Sequence, residues 1–366
     1  MAGTPLTCGF ERLTPRQARA VLAVATVVTL FFVAISLSPL ASGFADAPSR
    51  GASDIELYKA EVARIHGGEG YYDAAAMELT ARGYPTRSVF NWRPPLPVWL
   101  LGVLPDPQIG RWVLGMLALG GVLLATQFVA RDQGVRRGLM CGLWMTGALL
   151  PCFLDSLYVM HELWAGALIL LSILAYGAKR PAWGAAAGFV ALLFRELAAP
   201  YCGLCFVLAI RERRWKEIYF WLIAGAVYGI GYVAHILEVL PRIAPDARAH
   251  AEGWLCLGGT PFVISLAQMN AFLLLLPQWV TAIFLAMALL GFAGWTAPWG
   301  RRAALATSLY LALFAAIGQP FNQYWGAMVA PLLCLGIAQA PEALTTLWRR
   351  ASASKSNAAT LRAHAY

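Results

Sequence analysis

The chain has 366 residues, of which 59% are hydrophobic and only 13% charged, with a mean hydropathy of +0.61 and a formal net charge of +9. A water-soluble chain carries roughly 25% charged residues, so half of the usual polar cover is missing, which excludes a cytosolic enzyme, a nucleic-acid-binding domain and a disordered chain. The positive excess therefore reads as membrane topology and not as a nucleic-acid footprint.

Apolar runs at or near the roughly 20 residues that a crossing helix needs fall at 20–40, 112–130, 138–159, 162–178, 181–194, 197–210, 217–240, 272–296, 303–318 and 324–340. The expected fold is an all-α polytopic membrane protein of about ten transmembrane helices. It forms one domain over 1–350, followed by a disordered cytoplasmic tail over 351–366. The first run follows Arg12, Arg16 and Arg19 and ends near Ala45-Asp46-Ala47, as a signal peptide would. Its apolar stretch exceeds the roughly 7–15 residues of such signals, so an uncleaved span is expected. The fifth and sixth runs are short and meet at Arg195-Glu196, which suits either a broken hairpin or an irregular pair. With the N-terminus in the cytoplasm, 18 of the 28 Lys and Arg fall in cytoplasmic segments, at least two in every connection, as the positive-inside rule requires. Both termini are then cytoplasmic, 261–271 is a lumenal or re-entrant segment, and the protein is multi-pass, of the bacterial inner-membrane kind. The seven cysteines are scattered. Cys202 and Cys205 have C-x-x-C spacing, but inside an apolar run with no second pair or histidine nearby they read as small hydrophobes.

The first outside loop, 46–110, is long for a connector, and loops of such length that carry their own helices tend to carry function. Ser53 and Glu56 have capping-box spacing ahead of a helix over about 54–66. That helix places Asp54, Tyr58, Glu61 and Ile65 on one face. A second helix over about 71–82 begins at Tyr71-Tyr72-Asp73 and stops at Gly83, with Pro85 beyond. The stretch from Val89 to Leu100 is expected to be extended at its prolines.

In this loop the sequence resembles the membrane-embedded glycosyltransferases that use polyprenyl-phosphate sugars, the GT-C superfamily that includes protein O-mannosyltransferases and the lipid A aminoarabinose transferase. Asp54-Ile55-Glu56-Leu57-Tyr58 resembles their Asp-Glu-x-x-Tyr helix. Pro94-Pro95-Leu96-Pro97-Val98-Trp99-Leu100 resembles their Pro-Pro-Leu-x-x-Trp-Leu stretch, and Arg111 the arginine that opens the next span. Glu56 stands two residues from Asp54 instead of beside it, and Arg93 replaces the lysine often found before the prolines. The likeness is tightest over 46–130 and implies an inverting glycosyltransferase that moves a hexosyl or pentosyl group from a polyprenyl-phosphate donor to an acceptor hydroxyl on the extracytoplasmic face. The partners implied are that donor and the bilayer.

Transfer from a sugar phosphate needs one base for the acceptor proton and fixed positive charge for the departing phosphate. Asp54 is the candidate base; the bland reading is a first-turn acid favoured by the helix dipole. Glu56 reads as a cap or as a substrate ligand beside Tyr58. Glu69, Tyr71, Tyr72 and Asp73 read either as ligands for acceptor hydroxyls or a divalent cation, or as solvated helix-start groups. Arg93 offers the planar fork that phosphates favour, or else stacks on Trp92. Trp92 and Trp99 are candidates for sugar stacking. His161, Glu162, Arg195 and Arg111 stand at outside ends of spans, where ionisable groups face a cavity or one another. A transporter or flippase of lipid-linked sugars, and a non-catalytic membrane subunit, are the competing classes. Transport predicts discontinuous helices and ionisable groups at mid-membrane.

Overall fold

The computed structural model describes residues 8–39, 51–249 and 256–353. Ala45-Asp46-Ala47, His250, Glu252 and most of the expected C-terminal tail lie outside the described residues. Among the described residues the chain is all-helical, with no strand. In chain order it forms α1 (Pro15–Ser36), α2 (Gly51–His66), α3 (Tyr71–Ala81), α4 (Leu96–Gly102), α5 (Ile109–Gln133), α6 (Val135–Leu149), α7 (His161–Gly177) and α8 (Pro181–Phe194). There follow α9 (Ala199–Arg211), α10 (Trp215–Val239), α11 (Gly259–Ala267), the single turn α12 (Ala271–Leu274), α13 (Gln278–Gly294), α14 (Pro298–Ile317) and α15 (Ala330–Ser352).

Each of the ten apolar runs contains a helix, but not every one is by itself long and apolar enough to count as a full crossing. Among the described residues α1, α5 and α10 are long and apolar enough to cross a membrane. A fourth crossing arises if the 3₁₀ segment Pro320–Met328 and α15, bent by 65°, are counted together. With 14 and 13 residues, α8 and α9 rise about 20 Å each at 1.5 Å per residue, short of a hydrocarbon core of about 30 Å. They form a hairpin whose apex is Arg195 and the 3₁₀ turn Glu196–Ala198. Arg195 is extended there (φ −150°, ψ 120°), which breaks the helix.

Two local expectations also change. Ser53 is not an N-cap, because α2 already runs from Gly51; its hydroxyl instead lies at hydrogen-bond distance, 3.1 Å, from the Tyr84 hydroxyl. The Pro94–Leu100 stretch is not extended throughout. Pro95 has helical angles and α4 starts at Leu96, with Pro97 in its first turn, where a missing N–H costs nothing. The segment expected to be lumenal or re-entrant is α11, whose residues from Phe262 to Ala267 are buried.

Small residues set the tightest packing. A Cβ on Gly291 of α13 would strike the Gly336 carbonyl of α15, and one on Gly336 would meet the Ala288 carbonyl at 2.5 Å. The two backbones therefore approach as they do in membrane helix pairs built on small residues. α1 lies against this pair and turns Val24, Val27 and Leu30 outward.

The bundle has two polar ends. At one, Asp132 accepts from Trp299 (2.7 Å), Arg137 pairs with Glu342, Tyr176 donates to Glu217 (2.6 Å) and Arg19 reaches the Ala351 carbonyl (2.9 Å). At the other, α2, α3 and α4 cover the α8–α9 apex, the start of α7 and the 3₁₀ segment Pro320–Met328. The segments expected on opposite sides of a membrane are thus collected at opposite ends.

Candidate active site

The face of α2 carries the site. Asp54, Tyr58, Glu61 and Ile65 recur at helical spacing and all are buried against the bundle. Asp54 is 5% exposed. Its Oδ1 accepts from the Tyr84 hydroxyl at 2.7 Å and its Oδ2 from the Tyr324 hydroxyl at 2.9 Å. Tyr84 follows the α3 stop, where Gly83 takes the left-handed φ of +69° that turns the chain back. Tyr324 comes from the 3₁₀ segment before α15. Two helix ends remote in sequence therefore aim hydroxyls at one carboxylate.

Arg93 lies beside it. A small cleft is lined by Asp54, Tyr58, Glu61, Tyr84, Arg93, Asn322 and Tyr324, among others. Arg93 Nε donates to the Tyr58 hydroxyl (3.3 Å), and its guanidinium pairs with Glu196 at 3.0 Å. The Tyr71 hydroxyl donates to the Arg93 carbonyl at 2.5 Å and fixes the backbone at that point. Behind Arg93 is the apex arginine, Arg195, which is 1% exposed. It pairs with Glu162 at 2.8 Å and with Glu196 at 2.7 Å. Glu196 therefore bridges two guanidiniums, and Oε2 of both Glu162 and Glu196 is buried without a hydrogen-bond partner. His161 stacks on the Tyr58 ring with centroids 4.5 Å apart, and its Nε2 has no hydrogen-bond partner.

Glu61 shares the burial and the cleft of Asp54 but not its hydrogen bonds. Its Oε2 is buried with no partner. Burial first, and then the neighbouring Glu78 charge, push its carboxyl up to about 8. Hydrogen bonding from Arg64 (2.5 Å) and Arg82 (3.1 Å) holds Glu78 below the ordinary glutamate range despite partial burial. Burial pushes the Tyr58 hydroxyl upward, so it stays a neutral donor and acceptor.

The structure brings together Asp54, Tyr58, Arg93, His161, Glu162 and Arg195 of the residues expected from sequence. It sends the others elsewhere. Glu56 faces outward on the far side of α2, 3.9 Å from Lys59. Glu69 pairs with Arg64 at 2.9 Å and Asp73 with Arg242 at 3.1 Å, both on the exterior, so the expected ligand cluster at the start of α3 does not converge. Tyr72 hydrogen-bonds His235 Nδ1 at 3.2 Å. Because His235 Nε2 meets the Trp92 carbonyl at 3.2 Å, Nε2 carries the proton and Nδ1 accepts. Arg111 pairs with Asp155 at 2.9 Å and lies over Trp112. Trp92 is buried, with its indole N–H on the Thr86 carbonyl (3.0 Å), which closes its ring to a sugar. Among the described residues no three His, Cys, Asp or Glu side chains converge as a metal-ligand group.

Sequence reasoning missed Tyr84 and Tyr324 as partners of Asp54, and Glu61 as a lining group. Position 61 on the α2 face was the available signal for the last. No local spacing links 54 to 324. No protein-family model, curated protein or solved structure matches this chain.

Proposed function

We propose that the protein is a multi-pass membrane glycosyltransferase that takes a sugar from a polyprenyl phosphate at the end of the bundle carrying Asp54. On this reading the ten helices α1, α5 to α10 and α13 to α15 make ten membrane passages, α8 and α9 as a shortened pair. Both termini are cytoplasmic, and α2 to α4 form an extracytoplasmic cap. The observation that carries the reading is that the Asp54 carboxylate and the Arg93 guanidinium line one cleft.

In the step proposed, an acceptor hydroxyl attacks the anomeric carbon from the face opposite the phosphate. The new C–O bond forms as the old anomeric C–O bond breaks, and its electron pair leaves on the phosphate oxygen. The configuration inverts, and the acceptor proton passes to Asp54. The Tyr84 and Tyr324 hydroxyls hold the Asp54 oxygens in place; for the acceptor to reach one of them, a tyrosine must yield its hydrogen bond. Arg93, shared with Glu196, supplies positive charge for the phosphate, and Arg195 holds Glu196 from behind. A divalent cation is not required by this scheme.

Asp54→Asn keeps the size and loses the basicity. In membranes supplied with labelled polyprenyl-phosphate sugar, transfer is expected to fall about 10²-fold or more, with expression near parental. Glu56→Gln, on the outer face, is the control and keeps substantial transfer. Parental transfer by Asp54→Asn overturns the assignment. A second reading, movement of a lipid-linked sugar across the bilayer, is favoured by the broken α8–α9 hairpin with its buried Arg195. It predicts that donor lipid changes leaflet in vesicles without any acceptor.

A further inference from the structure

At the end of the bundle opposite Asp54, a cleft opens between the ends of α7 and α9, the turn before α10 and the start of α14. Arg302 forms its inner wall. Although only 6% exposed, this arginine has no carboxylate within ion-pair distance among the described residues. Its guanidinium lies 3.7 Å above the Tyr176 ring, and one of its nitrogens donates to Cys205 Sγ at 3.2 Å. The buried guanidinium is held directly by a ring face and a thiol and feels the Glu217 charge without an ion pair to it, which leaves it able to take an anion as a direct partner.

The nearby carboxylates are engaged elsewhere. Glu212 and Glu217 both pair with Arg214, at 3.1 and 2.6 Å, and Glu217 also accepts from Tyr176. Arg211 and Arg301 stand exposed at the rim with no ion pair among the described residues. No side chain caps the first turn of α14, which opens at Pro298 beside the cleft. An apolar track leaves the cleft: Leu208 and Leu305 line it, and Val207 and Ile210 lie exposed beside it on α9.

We propose that this cleft binds the phosphate headgroup of an anionic phospholipid, held by Arg302 within and by Arg211 and Arg301 at the rim, with an acyl chain along α9 and α14. Basic pockets between membrane helices suit such headgroups. The apolar track favours a lipid over a free phosphate, because a small anion gains nothing from it. The proposal rests on the helical membrane architecture and is independent of the transfer chemistry at the other end.

The experiment is thermal unfolding of the full-length protein in a neutral detergent. It is titrated in turn with phosphatidylglycerol, phosphatidylcholine of the same chains, and inorganic phosphate. Phosphatidylglycerol is expected to raise Tm saturably while the other two leave it unchanged. Each surface arginine strengthens anionic-lipid binding about fivefold, so Arg211→Gln/Arg301→Gln, changing exposed side chains only, should shift the half-saturating concentration about thirtyfold upward. Arg87→Gln, an exposed change at the opposite end, should leave it at the parental value. Equal stabilisation by phosphatidylcholine, or a parental midpoint in the double variant, overturns the proposal. Stabilisation by inorganic phosphate that matches the lipid overturns the lipid assignment.

Discussion

Asp54 and Glu61 stand seven positions apart on one helix face and line one cleft, yet their surroundings are opposite. Asp54 receives two hydroxyl donors, whereas Glu61 keeps an oxygen without any. Glu61 holds its proton in the folded chain to about pH 8, while an unfolded glutamic acid loses its proton near pH 4.3. Unfolding therefore releases a proton between those values, and stability falls as pH rises from about 4.5 to 8, by at most about 1.4 kcal/mol per unit, then levels off. Glu61→Gln removes the ionising group and keeps the shape. The expected result is a variant whose Tm stays nearly flat over that interval while the parent's declines. Identical Tm profiles for the two proteins would place the Glu61 carboxylate in water. The α2 face was legible in the sequence because a helical period is local. The two tyrosines on Asp54 were not, since each comes from a chain reversal whose direction is set by packing elsewhere.

The α8–α9 hairpin is the element on which the site rests. Its apex arginine compensates Glu162 and Glu196 together, and removing one partner of a buried pair costs more than the pair contributes. Arg195→Met is expected to lose about 3–5 kcal/mol of stability. Arg195→Met/Glu162→Gln should recover a large part, because it removes the charge left stranded. Unfolding in denaturant checks both, and a double variant no better than the single one would mean that Arg195 acts by packing alone. The positions of the bundle helices α1, α5 to α10 and α13 to α15 were legible from apolar runs, since burial and lipid contact both demand apolar side chains. Their lengths as crossings were not. Hydropathy alone cannot separate a 14-residue helix sunk in the bundle from one that reaches both surfaces. The start of α2 was misplaced for a similar reason: Ser53 and Glu56 have the spacing of a cap, but spacing does not report that the helix has already begun.

For the whole molecule, charge was the better guide. The connections rich in Lys and Arg gather at one end with Asp132, Glu217 and Glu342, and the first outside loop meets the segment Pro320–Met328 at the other. The chain after α10 also touches that loop there, through Arg242 and Asp73 and through the Arg87 N–H on the Arg248 carbonyl (3.1 Å). Single cysteines at Arg82 and Arg136, both exposed, should therefore react with an impermeant thiol reagent from opposite sides of sealed vesicles; reaction from one side refutes the two-ended arrangement. The bond from Tyr324 to Asp54 joins positions 270 residues apart, and this bears on how the protein is made. In translation the carboxylate precedes the hydroxyl that completes its setting by those 270 residues. Until Phe321, Asn322 and Tyr324 are made, one wall of the cleft is missing. A chain that stops short of Pro320–Met328 has the Tyr84 bond to Asp54 but not the Tyr324 one, so the setting of this acid is completed only after most of the bundle has been made.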